Sequence, residues 1–348
     1  MTAVEALLAV VRSFGSDPVA VLVDLGDKLL PLTLFLPMIA MLLAFALGGR
    51  AAGRLALGFL TLGLLLAVAI ATAVLARGEP LIHDLGGWAP PLGIRLQADG
   101  AAALVLVVSS LILLATALYA RADFRLPAGV GETREALTFW TLMMGVWFGL
   151  DSILLSQDLF NLYVALEFLT FAAVPLVCLK GTPETLVAAL RYLLFALMGS
   201  MLYLLGAALL YGAYGTLDLA LLATQIPQTP PLPRAPAIAA GLMTAGLLAK
   251  TALFPLHLWL APAHAGAPPA ASAMHAALVV KASFFLLMRL WFDAMPGLLA
   301  QTGAQVLGLL GASAIIYGGL QAFRQRRLKL LVAYSTLAQL GYLFMIFP

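Results

Sequence analysis

The sequence predicts an all-α polytopic membrane protein with about ten transmembrane helices. Of its 348 residues, 63% are hydrophobic and only 10% are charged, whereas a soluble domain uses roughly 25% charged residues to cover its surface. Several stretches of about 18 or more residues carry almost no charge, which indicates membrane-spanning helices. Strands of a membrane barrel would instead alternate polar and apolar residues in short segments, and the sequence lacks that pattern.

The apolar segments follow one another through connections that are too short to hold a soluble domain. Glycine and proline mark residues 77–100, between the second and third spans, as a loop. Three residues separate the fourth span from the fifth, which predicts a tight helical hairpin. The proline-rich segment 226–236 is a stiff linker before the seventh span. The ten predicted spans cover residues 29–47, 55–76, 100–120, 136–155, 159–179, 186–214, 237–260, 270–291, 301–323 and 328–347.

Basic residues are distributed unequally between the two sets of connections. The connections after odd-numbered spans, including the run FRQRRLK at 323–329, hold eleven Lys and Arg residues, and the opposite side holds six. The positive-inside rule therefore predicts an N-terminus outside the cytoplasm. A net charge of +3 is small and dispersed, so we expect no nucleic-acid partner. The single Cys178 excludes a cysteine-based iron–sulfur site within this chain.

Two oppositely charged residues lie deep within predicted spans. Glu167 lies in the fifth span and Lys250 in the seventh, which Pro255 interrupts because it supplies no backbone N–H. A charge in the bilayer centre costs at least ~2.5–3.5 kcal/mol, so such residues usually mark an ion or proton path. Glu167 alone would take up a proton, whereas a nearby lysine would keep it ionised. A pair that only fixes helix packing, and a lysine that snorkels to the interface, are the alternatives.

Further ionisable residues follow in the seventh and eighth spans. His257 lies two turns after Lys250, and its ordinary pKa near 6.5 suits a proton relay. His275 and Lys281 lie in the eighth span, about 240° apart on a regular helix, and both are relay candidates. Their alternatives are packing and snorkelling, respectively. His264 is an accessory candidate that the sequence places at a boundary or in a loop.

Other charges give weaker signals. Arg191 is an interfacial anchor or a second partner for Glu167, and it is an accessory candidate together with Asp158. Asp158, Asp99 and Asp151 lie at helix ends, where a carboxylate stabilises an N-terminus or meets water. The histidines lack carboxylate or cysteine neighbours at ligand spacing, so we expect no metal site. Nucleophile motifs and glycine-rich phosphate loops do not occur either, so we expect no catalytic residue in this chain.

Three long motifs resemble the antiporter-like membrane subunits: DLFNLYVALEFLTFAAVPL, AKTALFPLHLWLAPAHAGAPPAASAMHAALVVKASFFLLMRL and LKLLVAYSTLAQLGY. That family includes large subunits of Mrp-type sodium/proton antiporters and the proton-pumping subunits of respiratory complex I and membrane-bound hydrogenases. The resemblance extends from about residue 29 to the end of the sequence. The segment LGGWAPPLGIRLQADG is most similar to the D-type branch of the Mrp antiporter subunits.

The resemblance implies roles for the buried residues. Glu167 corresponds to the family's fifth-helix glutamate, Lys250 to the lysine of its broken seventh helix, and Lys281 to that of its eighth helix. His257 and His275 fall where the family often has polar relay residues. Family members contain no redox cofactor of their own and act within multisubunit complexes, so we expect no cofactor and partners that are other membrane subunits, protons, Na⁺ and lipid.

The resemblance also implies a division of this single transmembrane domain, residues 1–348. Family members have about fourteen helices in two inverted repeats, which span helices four to eight and nine to thirteen. Residues 29–123 would then be three peripheral helices, 136–293 the first five-helix repeat, and 301–348 the start of the second. Most of the second repeat is lacking here, so a separate polypeptide is expected to supply it unless the chain is truncated.

The leading hypothesis is a proton-translocating subunit of a multisubunit Mrp-type monovalent cation/proton antiporter in the inner (plasma) membrane. A proton-pumping subunit of complex I or of a membrane-bound hydrogenase is the first alternative, in which the chain is part of a translocase. A non-transporting membrane scaffold is the second alternative.

Overall fold

The computed structural model describes residues 18–124, 133–226, 233–297 and 302–348, with side chains for all of these except 18–21. Its first three helices are α1 (Pro18–Leu47), α2 (Gly49–Arg77) and α3 (Gly100–Asp123). Helices α1 and α2 meet at Gly48, which has a positive φ of 52°. Helix α1 begins well before the first predicted span, because the polar stretch around Asp27 continues the helix instead of forming a coil. The Asp27 carboxylate accepts a hydrogen bond from Arg77 of α2 at 2.9 Å.

A two-stranded antiparallel sheet lies between α2 and α3, where the sequence predicted only loop. Strand β1 (Leu81–Asp84) pairs with β2 (Arg95–Ala98), and a 3₁₀ turn follows β1. Leu81, Leu96 and Ala98 are fully buried on one face. Glycine and proline between the strands hid the short alternation that marks a half-buried strand.

The next helices form the tight hairpin that the sequence predicted. Helix α4 (Arg134–Leu155) and helix α5 (Leu159–Val177) are joined by three residues, and Asp158 caps α5 by accepting a hydrogen bond from the Asn161 N–H at 2.8 Å. Helix α6 (Pro183–Tyr214) has its proline in the first turn, where a missing N–H costs nothing. A short helix α7 (Leu219–Gln225), capped by Asp218, follows and was not predicted.

The seventh span is discontinuous, as predicted. Helix α8 (Arg234–Thr251) ends where Ala252 adopts the left-handed conformation, with φ 58°. The Leu253 N–H bonds to Leu248 O and the Ala252 N–H to Ala249 O, which is the Schellman pattern of a helix C-terminus. The break therefore begins three residues before Pro255, and helix α9 (Leu260–Gly266) completes the span.

The eighth span is divided by two π-helical segments. Helix α10 (Pro269–Met274) leads into π-helical residues His275–Val279, and helix α11 (Val280–Met288) leads into π-helical residues Arg289–Ala294. Helices α12 (Thr302–Phe323) and α13 (Leu328–Phe344) complete the described chain. Because a π-helix turns more slowly than an α-helix, the 240° separation expected for His275 and Lys281 does not apply.

Eight helices within the described residues are long and apolar enough to cross a membrane by length and composition, and α13 is a shorter apolar helix. Together with the broken seventh span, these nine helices account for the ten predicted spans. The chain is therefore a multi-pass α-helical membrane protein.

Alternate connections meet at the same end of the bundle. At one end, the Gln157 N–H donates to Arg95 O and the Leu159 N–H donates to Leu217 O, which joins the connections after the second, fourth and sixth spans. At the other end, Lys329 Nζ donates to Ala267 O at 2.8 Å and joins the connections after the seventh and ninth spans.

Helices α6 and α8 approach most closely at two glycines. A Cβ added to Gly246 would lie 2.2 Å from Gly199 O, and a Cβ added to Gly199 would lie 2.5 Å from Gly246 O. Small residues at such crossings allow helix backbones in a membrane to pack closely. This crossing lies one turn before Lys250 and brings its side chain against α6.

Candidate functional site

A buried ion pair joins α5 and α8 in the middle of the bundle. Lys250 Nζ lies 3.5 Å from Glu167 Oε1, with 5% and 13% of the two side chains exposed. The same amine donates a hydrogen bond to Thr170 Oγ1 at 2.8 Å and contacts Leu166 O at 3.4 Å. All three contacts of the amine are therefore with one segment of α5. The structure brings together the two residues that the sequence identified as the most deeply placed charges.

The break in the seventh span is lined by aromatic rings. The indole N–H of Trp259 donates to Ala249 O at 3.0 Å, and its ring stacks on Tyr192 of α6 with centroids 4.1 Å apart. His257 is 7% exposed, with its ring 4.8 Å from that of Tyr317 on α12 and 5.4 Å from that of Phe254. The indole is thus a second donor to a carbonyl in the last turn of α8, in addition to the Ala252 N–H.

Two further histidines lie close to each other, one in α9 and the other directly after α10. His264 is 1% exposed, and its Nδ1 is 2.7 Å from Ser272 Oγ. The ring of His275 lies 6.4 Å away, with Nδ1 2.7 Å from Ala271 O and Nε2 3.0 Å from Ala173 O. A neutral imidazole has one N–H and can donate to only one of these carbonyls, whereas an imidazolium donates to both. His264 is therefore buried in the last turn of α9, at a helix boundary as one of the two predictions had it and not in a loop.

Lys281 and a small cavity complete the polar region. Lys281 is half-buried and donates to Ala276 O at 2.5 Å, across the π-helical segment. A cavity of about 10 Å³ lies beside Lys250 and is also lined by Thr170, Tyr192 and Ser283. A volume of this size holds about one water molecule when polar partners surround it. Polar residues of α5, α6, α8 and α11 therefore border a common space.

The family described as "NADH:quinone oxidoreductase/Mrp antiporter, TM" matches residues 156–347, which is more than half of the chain. The chain belongs to this family. The match begins just before α5 and extends through α13, so it includes Glu167, Lys250, Lys281 and the three buried histidines. The resemblance inferred from the sequence motifs is confirmed.

Individual relatives of this antiporter-family chain carry two kinds of name. The N subunit of the NADH-quinone oxidoreductase of Desulforudis audaxviator (strain MP104C) is 36% identical over 327 residues, covering 90% of this chain and 63% of that protein. The D subunit of the Na(+)/H(+) antiporter of Bacillus subtilis (strain 168) is 30% identical over 287 residues, covering 80% of this chain and 55% of that protein. The chain thus spans about three fifths of the length of such relatives.

Solved structures show the same fold. A chain of the Mrp complex from Dietzia sp. DQ12-45-1b superposes with a TM-score of 0.81 and 27% identity, covering 92% of this chain and 58% of that chain. A chain of the membrane-bound sulfane sulfur reductase (MBS), an archaeal respiratory membrane complex, gives a TM-score of 0.81 and 27% identity, covering 91% and 64%. The predicted antiporter-like fold is confirmed.

The accessory residues of this family member have separate positions. Asp158 caps α5, as expected for a carboxylate at a helix N-terminus. Its backbone pairs with that of Asp218, the cap of α7. Arg191 is exposed on α6, and the ion pair of Glu167 is with Lys250 instead.

The sequence analysis missed two groups of buried polar residues. Asp151 is 1% exposed, and neither carboxylate oxygen has a well-aligned hydrogen bond among the described residues. The expectation that it meets water was wrong, because the Asp151 side chain is buried near the end of α4. Arg289 is 7% exposed and binds both Asp99, which caps α3, and Asp293 at 2.9 Å. No group of three or more potential metal ligands occurs within the described ranges.

Proposed function

We propose that this chain is a proton-translocating subunit of a multisubunit Mrp-type monovalent cation/proton antiporter. The observation that carries the proposal is the buried Lys250–Glu167 pair beside a helix break and a polar cavity. Charged groups at this depth are costly and usually functional. The relatives named as D subunits of a Na(+)/H(+) antiporter and of a probable K(+)/H(+) antiporter support this function.

The geometry suggests how a proton would move. A carboxylate next to an amine favours the protonated amine, and its withdrawal favours release of the proton. Separating Glu167 from Lys250 would therefore send a proton from Lys250 into the cavity, and re-pairing would reset the site. His275, held between two carbonyl oxygens, and Lys281 are the proposed acceptors along the bundle, with His257 near the break. His264, through Ser272, is an accessory position at the end that also holds Lys329.

A specific observation favours a second candidate. The relative that is 36% identical is named as the N subunit of an NADH-quinone oxidoreductase, and one matching structure is an archaeal respiratory complex. In that case the same site would serve a redox-driven proton pump. Mass spectrometry of the gently solubilised complex distinguishes the two: peripheral iron–sulfur subunits indicate the pump, and membrane subunits alone indicate the antiporter.

The partners and the membrane belong to the same proposal. Other membrane subunits, including one that supplies the second repeat if this chain does not, would surround the bundle in the inner (plasma) membrane. The eleven-to-six distribution of basic residues supports an N-terminus outside the cytoplasm. Protons and Na⁺ would be the transported ions. The proposed division is 29–123 for the peripheral helices, 136–293 for the first repeat and 301–348 for the start of the second.

Transport measurements in everted vesicles that contain the complete complex test the proposal. Lys250→Met and Glu167→Gln keep the side-chain size but remove the charge, and each should abolish cation-dependent proton movement while the complex still assembles. Lys28→Met is the matched control, because Lys28 is exposed on α1. Unchanged transport in both buried variants would reject the proposal. If the substitutions reduce assembly of the complex more than transport, the result would favour the scaffold alternative.

A further inference from the structure

The Lys250 amine makes its shortest contact with a neutral oxygen. Its distance to Thr170 Oγ1 is 2.8 Å, whereas its distance to Glu167 Oε1 is 3.5 Å. Hydrogen bonds between an ammonium and a carboxylate are usually about 2.7–2.9 Å long. Glu167 Oε1 is buried and has no well-formed hydrogen bond among the described residues. The pair is therefore in electrostatic contact but short of a direct charge-assisted hydrogen bond.

The local structure of α5 fixes the orientation of the threonine hydroxyl. Thr170 Oγ1 donates its only proton to Leu166 O, four residues earlier, at 2.8 Å. Its lone pairs therefore remain available to accept from Lys250. Thr170 is 4% exposed and is β-branched, so its side chain has little freedom to rotate.

The lysine side chain is guided to this hydroxyl from the opposite side. Its Cγ lies 3.2 Å from the position that a Cβ at Gly199 would occupy, so α6 borders the aliphatic part of the chain. The amine then reaches α5 between Glu167 and Thr170, which are three residues apart on the same face. Both acceptors are thus presented to one amine.

We propose that Thr170 is a positioning residue that holds the Lys250 amine in a loosened ion pair with Glu167. This inference rests on the proposed function of the pair in proton transfer. A neutral hydroxyl solvates the ammonium but does not favour the protonated form as strongly as a carboxylate does. The hydroxyl therefore keeps the proton from being trapped in a closed Lys–Glu contact. Without the hydroxyl, the amine would move onto the Glu167 carboxylate.

The groups around Lys250 indicate that positioning of its amine is specific to Thr170. Glu167 is the charged group that faces the amine from α5. Tyr192 lines the cavity from α6, and Ser283 lines it from α11. Lys281 of α11 directs its own amine to Ala276 O. Thr170 and Glu167 are thus the two side chains in direct contact with the amine among the described residues.

The test compares three substitutions at Thr170 in the complete complex, with transport measured against pH. Thr170→Val removes the hydroxyl and keeps the shape, so the amine should close on Glu167. Transport should slow, and its pH profile should move to higher pH by up to about one unit, because a charge-assisted hydrogen bond to Glu167 replaces the weaker bond to the hydroxyl. Thr170→Ser retains the hydroxyl and should keep the original profile. If the valine variant does not assemble, Thr170→Ala takes its place in the test, and its transport profile should move to higher pH in the same way.

Two outcomes would overturn the inference. Equal defects in the serine and valine variants would show that only packing matters, and a wild-type profile in both the valine and alanine variants would show that the hydroxyl has no role. Lys250→Met and Glu167→Gln, measured in vesicles of the same kind, distinguish failure of the positioning role from failure of the proposed function. If they abolish transport while Thr170→Val is normal, the positioning role fails alone; if they transport normally, the proposed function fails.

Discussion

Replacement of Gly246 by alanine should weaken the crossing of α6 and α8 that orients Lys250. The added Cβ would lie 2.2 Å from Gly199 O and 3.0 Å from the Tyr203 backbone nitrogen. Both neighbours are backbone atoms, so no side chain can rotate away. The two helices would have to separate by about 1 Å to reach ordinary contact distances. Lys250, one turn later on the same face, would move with α8.

The expected size of the effect follows from two opposing contributions. Overpacking of a well-packed interior usually costs about 1–3 kcal/mol, and a clash with rigid backbone belongs at the upper end of that range. Alanine in place of glycine within a helix contributes about 0.8–1.0 kcal/mol in the opposite direction. The net loss in free energy of unfolding should therefore be about 2 kcal/mol.

Gly241, on the same helix, is the matched control because an added Cβ there would meet nothing within 4 Å. Gly241→Ala should stabilise α8 by up to about 1 kcal/mol, so the two variants should shift stability in opposite directions. Tryptophan fluorescence of the purified complex during heating measures both. A Gly246→Ala protein that melts at or above the wild-type temperature, as Gly241→Ala should, would refute this account of the crossing.

Two further predictions concern polar groups at the end of the bundle that holds the sheet. The hydrogen bond from Arg95 is the main cause that lowers the pKa of Asp84. Its stabilisation is therefore present above the unfolded-state pKa of about 3.9 and is lost as pH falls through the folded-state value. Because both side chains are partly exposed, Asp84→Asn should cost only about 0.2–1 kcal/mol at pH 7. The amide-exchange protection factors of β1 and β2 should be lower than in the wild type and should no longer fall when the pH is lowered through the Asp84 titration. Arg289→Met leaves Asp99 without its cation and should lower the free energy of unfolding by about 1.5–3 kcal/mol, whereas Asp293→Asn, at an exposed carboxylate, should have a smaller effect in the same heating experiment.

Sequence reasoning was sufficient to predict the spans and the central ion pair, because both depend on the contrast between apolar and charged residues. A run of apolar residues has few alternatives to a membrane helix, and a charge inside such a run is conspicuous. Glu167 and Lys250 were therefore identifiable, and Pro255 indicated that the seventh span is broken. Helix α8 ends earlier, at Thr251, because Ala252 adopts the left-handed conformation. An alanine in the sequence does not signal that conformation.

The features that the sequence concealed depend on three-dimensional packing. Asp151 lies near the end of its helix, and its burial there follows only from the packing of the folded bundle. Thr170 carries no charge and occupies an ordinary helical position, so its contact with Lys250 appears only when α5 and α8 are placed together. His264 follows a proline and precedes a glycine, which favours a loop, but the short helix α9 buries it against Ser272.

The Schellman termination of α8 has an electrostatic consequence for the lysine in its last turn. The C-terminus of a helix carries partial negative charge, which favours a nearby cation by about 0.3–1 kcal/mol and by up to ~2 kcal/mol in partly buried geometries. Lys250 therefore experiences two attractive potentials: a fixed one from the peptide dipoles of its own helix and a variable one from Glu167. Were the glutamate to swing away, as in the proposed mechanism, the backbone potential would remain and would favour the return of a proton to the amine.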